Sequence, residues 1–317
     1  MLSLRVNAPA ALCEQVRLCL TDDPTVSSLT IVPGGSVNPP GDLFIADIPR
    51  ERANALVDAL MALGVQEHGT IALSPVDTWV SAQGLAAEDA APGPSQDAVV
   101  WAEVTERAYE DSSLTWTYAS FMILATLLAA IAILTDSTIL VIGAMVLGPE
   151  FVPIAALGLG LVRRRPMLLR RAARTLLLGF ALSITVVAVA SFLARALHLI
   201  NNDVEFQTRT ATSFIYQPNG WSIAIALVAG SAGVLALTAA RGSGLVGVFI
   251  SVTTIPASGN VALAIAFGVW SQALGSALQL IINIIGMALA GWATLAIQQA
   301  VWRRIERRRL RRAPAPH

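Results

Sequence analysis

The sequence predicts a multi-span α-helical membrane protein preceded by a small α+β ferredoxin-like domain, and three observations carry that prediction. Residues 114–301 hold about six apolar runs of roughly 20 residues, each long enough to cross a hydrocarbon layer of about 30 Å. The chain is 55% hydrophobic and only 13% charged, with a mean hydropathy of +0.65, which is more apolar surface than a 317-residue soluble core would hide. The first 80 residues break that pattern: short alternating runs and helical periods follow one another there in the order βαββαβ.

Residues 2–6 alternate apolar and polar side chains as a strand does, and residues 9–20 follow a helical period. Residues 26–32 and 42–48 read as strands on either side of a Gly/Pro-rich loop at 33–41 (PGGSVNPPG). A helix is expected over 49–63 and a last strand over 70–74. This is the order of a ferredoxin-like sandwich, expected to fill residues 1–80. Such folds serve as small-ligand sensors, oligomerisation modules or plain adaptors, so the fold does not choose among them. Cys13 and Cys19, six apart in a predicted helix, lie on different faces and match no zinc or redox spacing; they read as core thiols in a reducing compartment. The apolar run at Met1–Val6 is far shorter than a secretory signal needs, so this domain is expected in the cytoplasm.

Residues 81–113 are expected to join the domain to the membrane. The stretch 81–97 is small, polar and Pro/Gly-rich and reads as a linker. From residue 98 to 111, Val100, Trp101, Val104 and Ala108 recur at helical spacing opposite Glu103, Glu106, Arg107 and Glu110, which predicts an amphipathic juxtamembrane helix. Its acidic face makes adsorption to anionic lipid the least favoured of its uses.

Spans are expected near 114–135, 138–162, 175–200, 221–240, 244–269 and 274–301. Arg163, Arg164 and Arg165 sit between the second and third, Arg241 between the fourth and fifth, and seven arginines occupy the basic tail at 302–317. Positive-inside bias then puts both termini in the cytoplasm, in an inner membrane. All 21 basic residues are arginine, which hints at a GC-rich bacterial genome. The competing layout has four straight spans and two buried hairpins at the proline-broken segments; it leaves both termini inside as well.

Three spans before the 201–220 loop and three after it imply halves of opposite orientation. The halves start near Leu114 and Trp221, and their middle spans meet prolines at Pro149 and Pro256, both pairs about 107 residues apart. The layout therefore predicts a 3+3 inverted repeat with broken second and fifth helices, and such paired breaks point to a substrate site at the membrane midplane. The first reads GAMVLGPEFVPIAALGLG (143–160), in which Pro149 and Pro153 bracket Glu150. The second reads GVFISVTTIPASGNVALAIAFG (247–268), with Thr253, Thr254, Ser258 and Asn260 around Pro256. A proline inside a helix frees a backbone carbonyl, which a bilayer tolerates only beside protein or a water-filled cavity.

Glu150, near the centre of its span, is a candidate to bind a cation or relay a proton, or else to cap the second half-helix through its free N–H groups. Asp136 reads as the N-cap of the second helix, Asn260 as pore-lining or as a bond to a neighbouring helix, and Asn283 as a polar link between helices. Arg209, in the outer loop, reads as a surface residue. The glycines at 158, 160, 230, 233, 286 and 291 are expected to permit close helix packing, and a homo-oligomer is expected on the same ground. No cofactor, metal site, enzymatic triad or nucleic-acid partner is suggested: His68, His198 and His317 are scattered, with no carboxylate at ligand spacing.

The segment VIGAMVLGPEFVPIAALGLGLVRRRPMLLRRAARTLLLG (141–179), with TRT (208–210), IALVAGSAGVLAL (225–237), GLVGVFISVTTIPASGNVALAIAFG (244–268) and the surroundings of Asn283, resembles a prokaryotic membrane family catalogued as domain of unknown function 389. The likeness spans roughly residues 115–300. Two features depart from the family pattern: Glu150 follows Pro149, and Ile255-Pro256-Ala257 stands where two adjacent prolines are common. The resemblance implies a multi-span membrane protein with an N-terminal soluble domain and supplies no substrate. The residues themselves lead to a transporter or channel-like protein for a small solute or ion, sited at the broken helices in the lipid bilayer. The alternative is a membrane-anchored sensor or scaffold whose cytoplasmic domain binds a ligand or partner.

Overall fold

The computed structural model describes residues 1–91, 98–200, 215, 220–238 and 246–310, with side chains omitted at 246–253 and 305–310. It divides into two compact units. Of the described residues, the first takes those of 1–104 with Thr238 and 301–310, and the second takes those of 105–237 with 246–300.

The N-terminal unit is a four-stranded antiparallel sheet in the order β2-β3-β1-β4, formed by β1 (Leu2–Pro9), β2 (Ser28–Val37), β3 (Pro40–Ile48) and β4 (Thr70–Pro75). Helix α1 (Cys13–Thr21) follows β1, and α2 (Arg50–Ala62) with the short α3 (Val65–His68) separates β3 from β4. Alternate residues of β1 (Leu2, Leu4, Val6, Ala8) are buried, so one face of the sheet closes onto Val16 and Leu20 of α1 and Leu56 and Leu60 of α2. Each such Leu or Val contributes about 1.5–3 kcal/mol by leaving water.

The expected loop at 33–41 is mostly strand. β2 continues to Val37 and β3 begins at Pro40; the register slips between Val32 and Ser36, so Pro33, Gly34 and Gly35 form a bulge while Ser36 and Val37 pair with Gly41 and Pro40. The expected linker is part helix. α4 (Ala82–Ala90) starts at Ser81, whose hydroxyl accepts the Gly84 N–H, and it buries Gly84 and Ala87; small residues at helical spacing pack where composition alone suggested a flexible chain. Residues 92–97 lie outside the described residues. α5 (Trp101–Asp111) forms where the amphipathic pattern predicts it. Asn54 of α2 holds the chain at its start, donating to the Val99 carbonyl at 2.6 Å and accepting from the Trp101 N–H at 3.0 Å.

The second unit is a helical bundle of α6 (Trp116–Leu134), α7 (Thr138–Leu147), α8 (Phe151–Val162), α9 (Pro166–Ala196), α10 (Gly220–Thr238), α11 (Val246–Phe267) and α12 (Trp270–Leu310). Among the described residues four helices are long and apolar enough to cross a membrane: α6, α9, α10 and α12. The pair α7 and α8 passes the same criterion only when taken together, and it is bent by 58° at the break, the geometry of a broken span or of a re-entrant loop. α9 starts nine residues before the expected third span because Pro166 opens it, its ring suiting a first helical turn, and Arg170, Arg171 and Arg174 are carried on the helix. One core cluster takes residues from every helix of the bundle, from Met122 on α6 through Ala144, Ile154, Phe180, Ala229 and Ile255 to Met287 on α12.

The two proline segments behave differently. At the first the helix stops: Gly148 is extended (ψ 120°) and Pro149 and Glu150 separate α7 from α8. The residue before a proline is driven out of helical geometry, and a glycine there resists weakly. The expected break at the second is absent, for α11 runs unbroken through Pro256. A single internal proline costs about 3 kcal/mol. Every residue from Thr254 to Ala264 is buried, and packing on all sides offsets that cost.

Candidate functional site

Pro153 falls in the first turn of α8, where its missing N–H would have had no helical acceptor, so it restarts the helix without loss. Glu150 occupies the N-cap position of α8, yet its side chain makes no cap hydrogen bond; the capping role considered for it is not the one it has. The carboxylate instead turns into the bundle, where it is 0% exposed and its Oε1 accepts from the Thr254 hydroxyl of α11 at 2.7 Å. One turn further along α11, the Ser258 hydroxyl lies 3.2 Å from that of Thr126 on α6 and 2.7 Å from the Ile255 carbonyl oxygen. Close approach makes this contact possible: a Cβ on Gly259 would stand 2.9 Å from the Ala129 Cβ and 3.1 Å from the Ala130 N of α6.

Asn260 points to another face of α11, toward α12, and its Nδ2 donates to the Ser276 hydroxyl at 2.8 Å. Asn283 accepts from Gln279 Nε2 at 3.4 Å, within its own helix. Gln272, Ser276, Gln279 and Asn283 are all buried and recur at intervals of four, three and four, which is one face of α12. The Gln279 Oε1 has no hydrogen-bond partner among the described residues. Burying an amide oxygen in that way costs about 1–3 kcal/mol. Of this row only Asn283 drew notice in the sequence; its spacing in an apolar helix was the signal that would have found the rest.

A crevice of about 410 Å³ opens beside the α7–α8 break. Gly148, Pro149, Phe151 and Val152 line one part, and Glu110, Asp111, Thr117, Tyr118 and Phe121 another. Tyr118 is buried, lies within electrostatic reach of Glu150, and its hydroxyl has no hydrogen-bond partner among the described residues. The sequence placed Glu110 only on the acidic face of α5 and gave no sign of Asp111 or Tyr118, because only the fold brings the end of α5 to the break.

The remaining candidates stand apart from this cluster. Asp136 is not the cap of α7: it has a left-handed backbone (φ 46°) in the turn after α6, and Ser137 takes the cap position, accepting the Leu140 N–H. An aspartate tolerates that conformation better than most residues, which suits it to the turn. Arg209 lies outside the described residues. Among the described residues no group of three or more His, Cys, Asp or Glu side chains is disposed to hold a metal ion.

A mostly helical bundle with four spanning-length apolar helices, carrying a small antiparallel α+β domain, defines the class as membrane protein. Residues 145–289 match the family model described as "Domain of unknown function (DUF389)", the family that the sequence motifs resemble. An uncharacterized protein of Methanocaldococcus jannaschii is 28% identical over 169 residues, 53% of this chain and 50% of that protein, so the chain spans about half the length of this curated relative. No solved structure matches.

Proposed function

We propose that this protein is a transporter or channel-like protein for a small solute or ion, with its site at the α7–α8 break. The observation that carries the reading is the wholly buried Glu150–Thr254 hydrogen bond, which ties the broken helix to the helix that crosses the bundle beside it. Ionisable groups are expensive at membrane depth and are kept there for ion pathways and proton relays. The crevice at Gly148 and Pro149 supplies an approach to that region from one side. The reading takes the cell's inner membrane as the location and both termini as cytoplasmic, supported by the arginines at 163–165. It also takes a homo-oligomer, supported by the glycine-rich spans, and assigns no enzymatic step.

The test is flux in proteoliposomes carrying wild type or Glu150→Gln, with a panel of inorganic cations, anions, amino acids and amines at several pH values. A solute that enters with wild type and not with Glu150→Gln supports the site. Flux of nothing in the panel, together with a ligand-induced rise in thermal midpoint that is lost on deleting residues 1–80, would replace the reading with the sensor or scaffold.

A further inference from the structure

The start of α9 concentrates positive charge at the edge of an apolar surface. Arg164, Arg165, Arg170, Arg171 and Arg174 are all exposed, and none of the five forms an ion pair among the described residues. Between residues 141 and 200 the single acid is Glu150, which is buried in the bundle against Thr254. Asp111 comes near in the fold, since the carbonyl of its neighbour Ser112 accepts from the Thr175 hydroxyl at 2.7 Å, yet it pairs with no arginine. The α8–α9 turn fixes the first two arginines. Arg164 has a left-handed backbone (φ 51°), and the Arg165 N–H donates to the Gly160 carbonyl at 2.9 Å, which closes the end of α8.

Arg170, Arg171 and Arg174 share one face of α9, and that face continues as Leu177, Leu178, Leu182, Val186 and Val189, all exposed. The other side of the helix, with Leu176, Gly179, Phe180 and Ser183, is buried. In a membrane protein the exposed apolar row is the one that meets acyl chains. No charge occurs from 175 to 194, and from Arg174 to Arg195 the helix rises about 32 Å, close to the roughly 30 Å of a hydrocarbon layer. Arg195 closes the far end, its Nη1 donating to the Ala266 carbonyl at 3.2 Å. With Arg174 at one boundary of that layer, Arg170 and Arg171 stand about 5 Å further out, at the depth of lipid headgroups. Charge count alone would orient a span. Unpaired arginines continuous with an acyl-facing row make a surface with two matched parts, one for a phosphate and one for its chains.

We propose that this collar binds an anionic phospholipid, its phosphate held by Arg170, Arg171 and Arg174 and its acyl chains lying along Leu177, Leu178 and Leu182. Arginine suits the task because its planar fork donates to two phosphate oxygens at once. Arg164 and Arg165, at the α8–α9 turn, add to the positive field, as does the N-terminal end of the α9 dipole. The proposal needs only that the protein spans a bilayer, and it stands apart from the transport reading.

The experiment uses the full chain in a neutral detergent, titrated with dioctanoyl phosphatidylglycerol. Dioctanoyl phosphatidylcholine and free glycerol phosphate are the controls. Calorimetry and thermal midpoint are read for wild type, for Arg170→Gln, Arg171→Gln and Arg174→Gln combined, and for a tail variant, Arg303→Gln, Arg304→Gln and Arg307→Gln, that removes the same charge elsewhere. The expected result is saturable binding of phosphatidylglycerol that the α9 variant weakens at least about tenfold, since each arginine near anionic headgroups contributes roughly fivefold in affinity. The tail variant, phosphatidylcholine and glycerol phosphate set the baseline: the first keeps the binding and the other two bind far more weakly. An unliganded midpoint near wild type shows that the α9 variant folds. A roughly tenfold rise in salt must also weaken binding to wild type, a readout that needs no variant. Equal loss in the two variants, phosphatidylcholine bound as tightly as phosphatidylglycerol, or binding indifferent to salt overturns the proposal. Glycerol phosphate bound as tightly as the lipid overturns it too, in favour of a free anion.

Discussion

Replacing Thr254 by valine keeps the branched shape and removes the hydroxyl that donates to Glu150 Oε1. Both side chains are 0% exposed and the bond is 2.7 Å long, so water does not substitute for the lost donor. A hydrogen bond to a charged acceptor contributes about 1.5–3 kcal/mol in soluble proteins. Side-chain bonds between membrane helices average about 0.6 kcal/mol and reach about 1.7. Thr254→Val should therefore cost about 1–3 kcal/mol, which lowers the midpoint of a domain of this size by roughly 2–10 °C. The assay is thermal unfolding in detergent, run as a double-mutant cycle with Glu150→Met, which has no oxygen to accept the bond. A coupling energy of at least about 0.5 kcal/mol is expected for groups in contact. Strictly additive effects, or a valine variant that melts with wild type, would refute the claim that this bond joins α8 to α11.

Three further outcomes test other parts of the molecule. Gly230→Ala on α10 would place a Cβ 2.4 Å from the carbonyl oxygen and 2.7 Å from the Cα of Met287, so α10 and α12 must move apart; a loss of about 1–3 kcal/mol is expected in thermal unfolding, as for other overpacked sites. Asn54→Ala removes the bonds to Val99 and Trp101, and amide exchange over residues 98–104 should accelerate while that of β1 stays unchanged. Burial pushes the Asp23 carboxyl up, but hydrogen bonds from Arg52 at 2.6 Å and from the Thr25 amide at 2.9 Å outweigh it and hold the group below its ordinary value. Its stabilisation is thus complete above the unfolded value of about 3.9 and fades as pH falls through the lower folded value. Asp23→Asn should weaken the sheet near neutral pH and flatten that acid loss, read by amide exchange of β1 and β3 corrected for intrinsic rate.

How far the candidate site was legible follows from where its residues lie along the chain. Glu150, Thr254, Ser258 and Asn260 stood out because a polar group in a long apolar run is conspicuous, and all four are buried in the bundle. Their partners were not legible. Thr126 and Ser276 are ordinary helix residues until Ser258 and Asn260 face them, and Tyr118, Glu110 and Asp111 matter only because the end of α5 and the start of α6 border the break. Pro149 and Pro256 looked equivalent, yet one ends a helix and the other is carried inside one.

Periodicity and hydropathy are properties of neighbours in the chain, so the sequence by itself determined what depends on neighbours. The βαββαβ order, the amphipathic α5, the apolar helices and the α7–α8 break at Gly148-Pro149 are of this kind. The tertiary structure alone decided what depends on groups far apart in sequence. It drew Pro/Gly-rich residues 33–37 into a strand, because Ser36 and Val37 find ladder partners in Gly41 and Pro40 of β3 while 33–35 bulge, and it made a helix of 82–90, because small residues there find a surface to bury. It kept α11 continuous through Pro256, because burial of every residue from Thr254 to Ala264 outweighs one lost hydrogen bond. It turned Glu150 from a helix cap into the acceptor of a bond from a residue 104 positions away. Local energies of a kcal/mol or so propose these choices, and burial summed over many contacts overrules them.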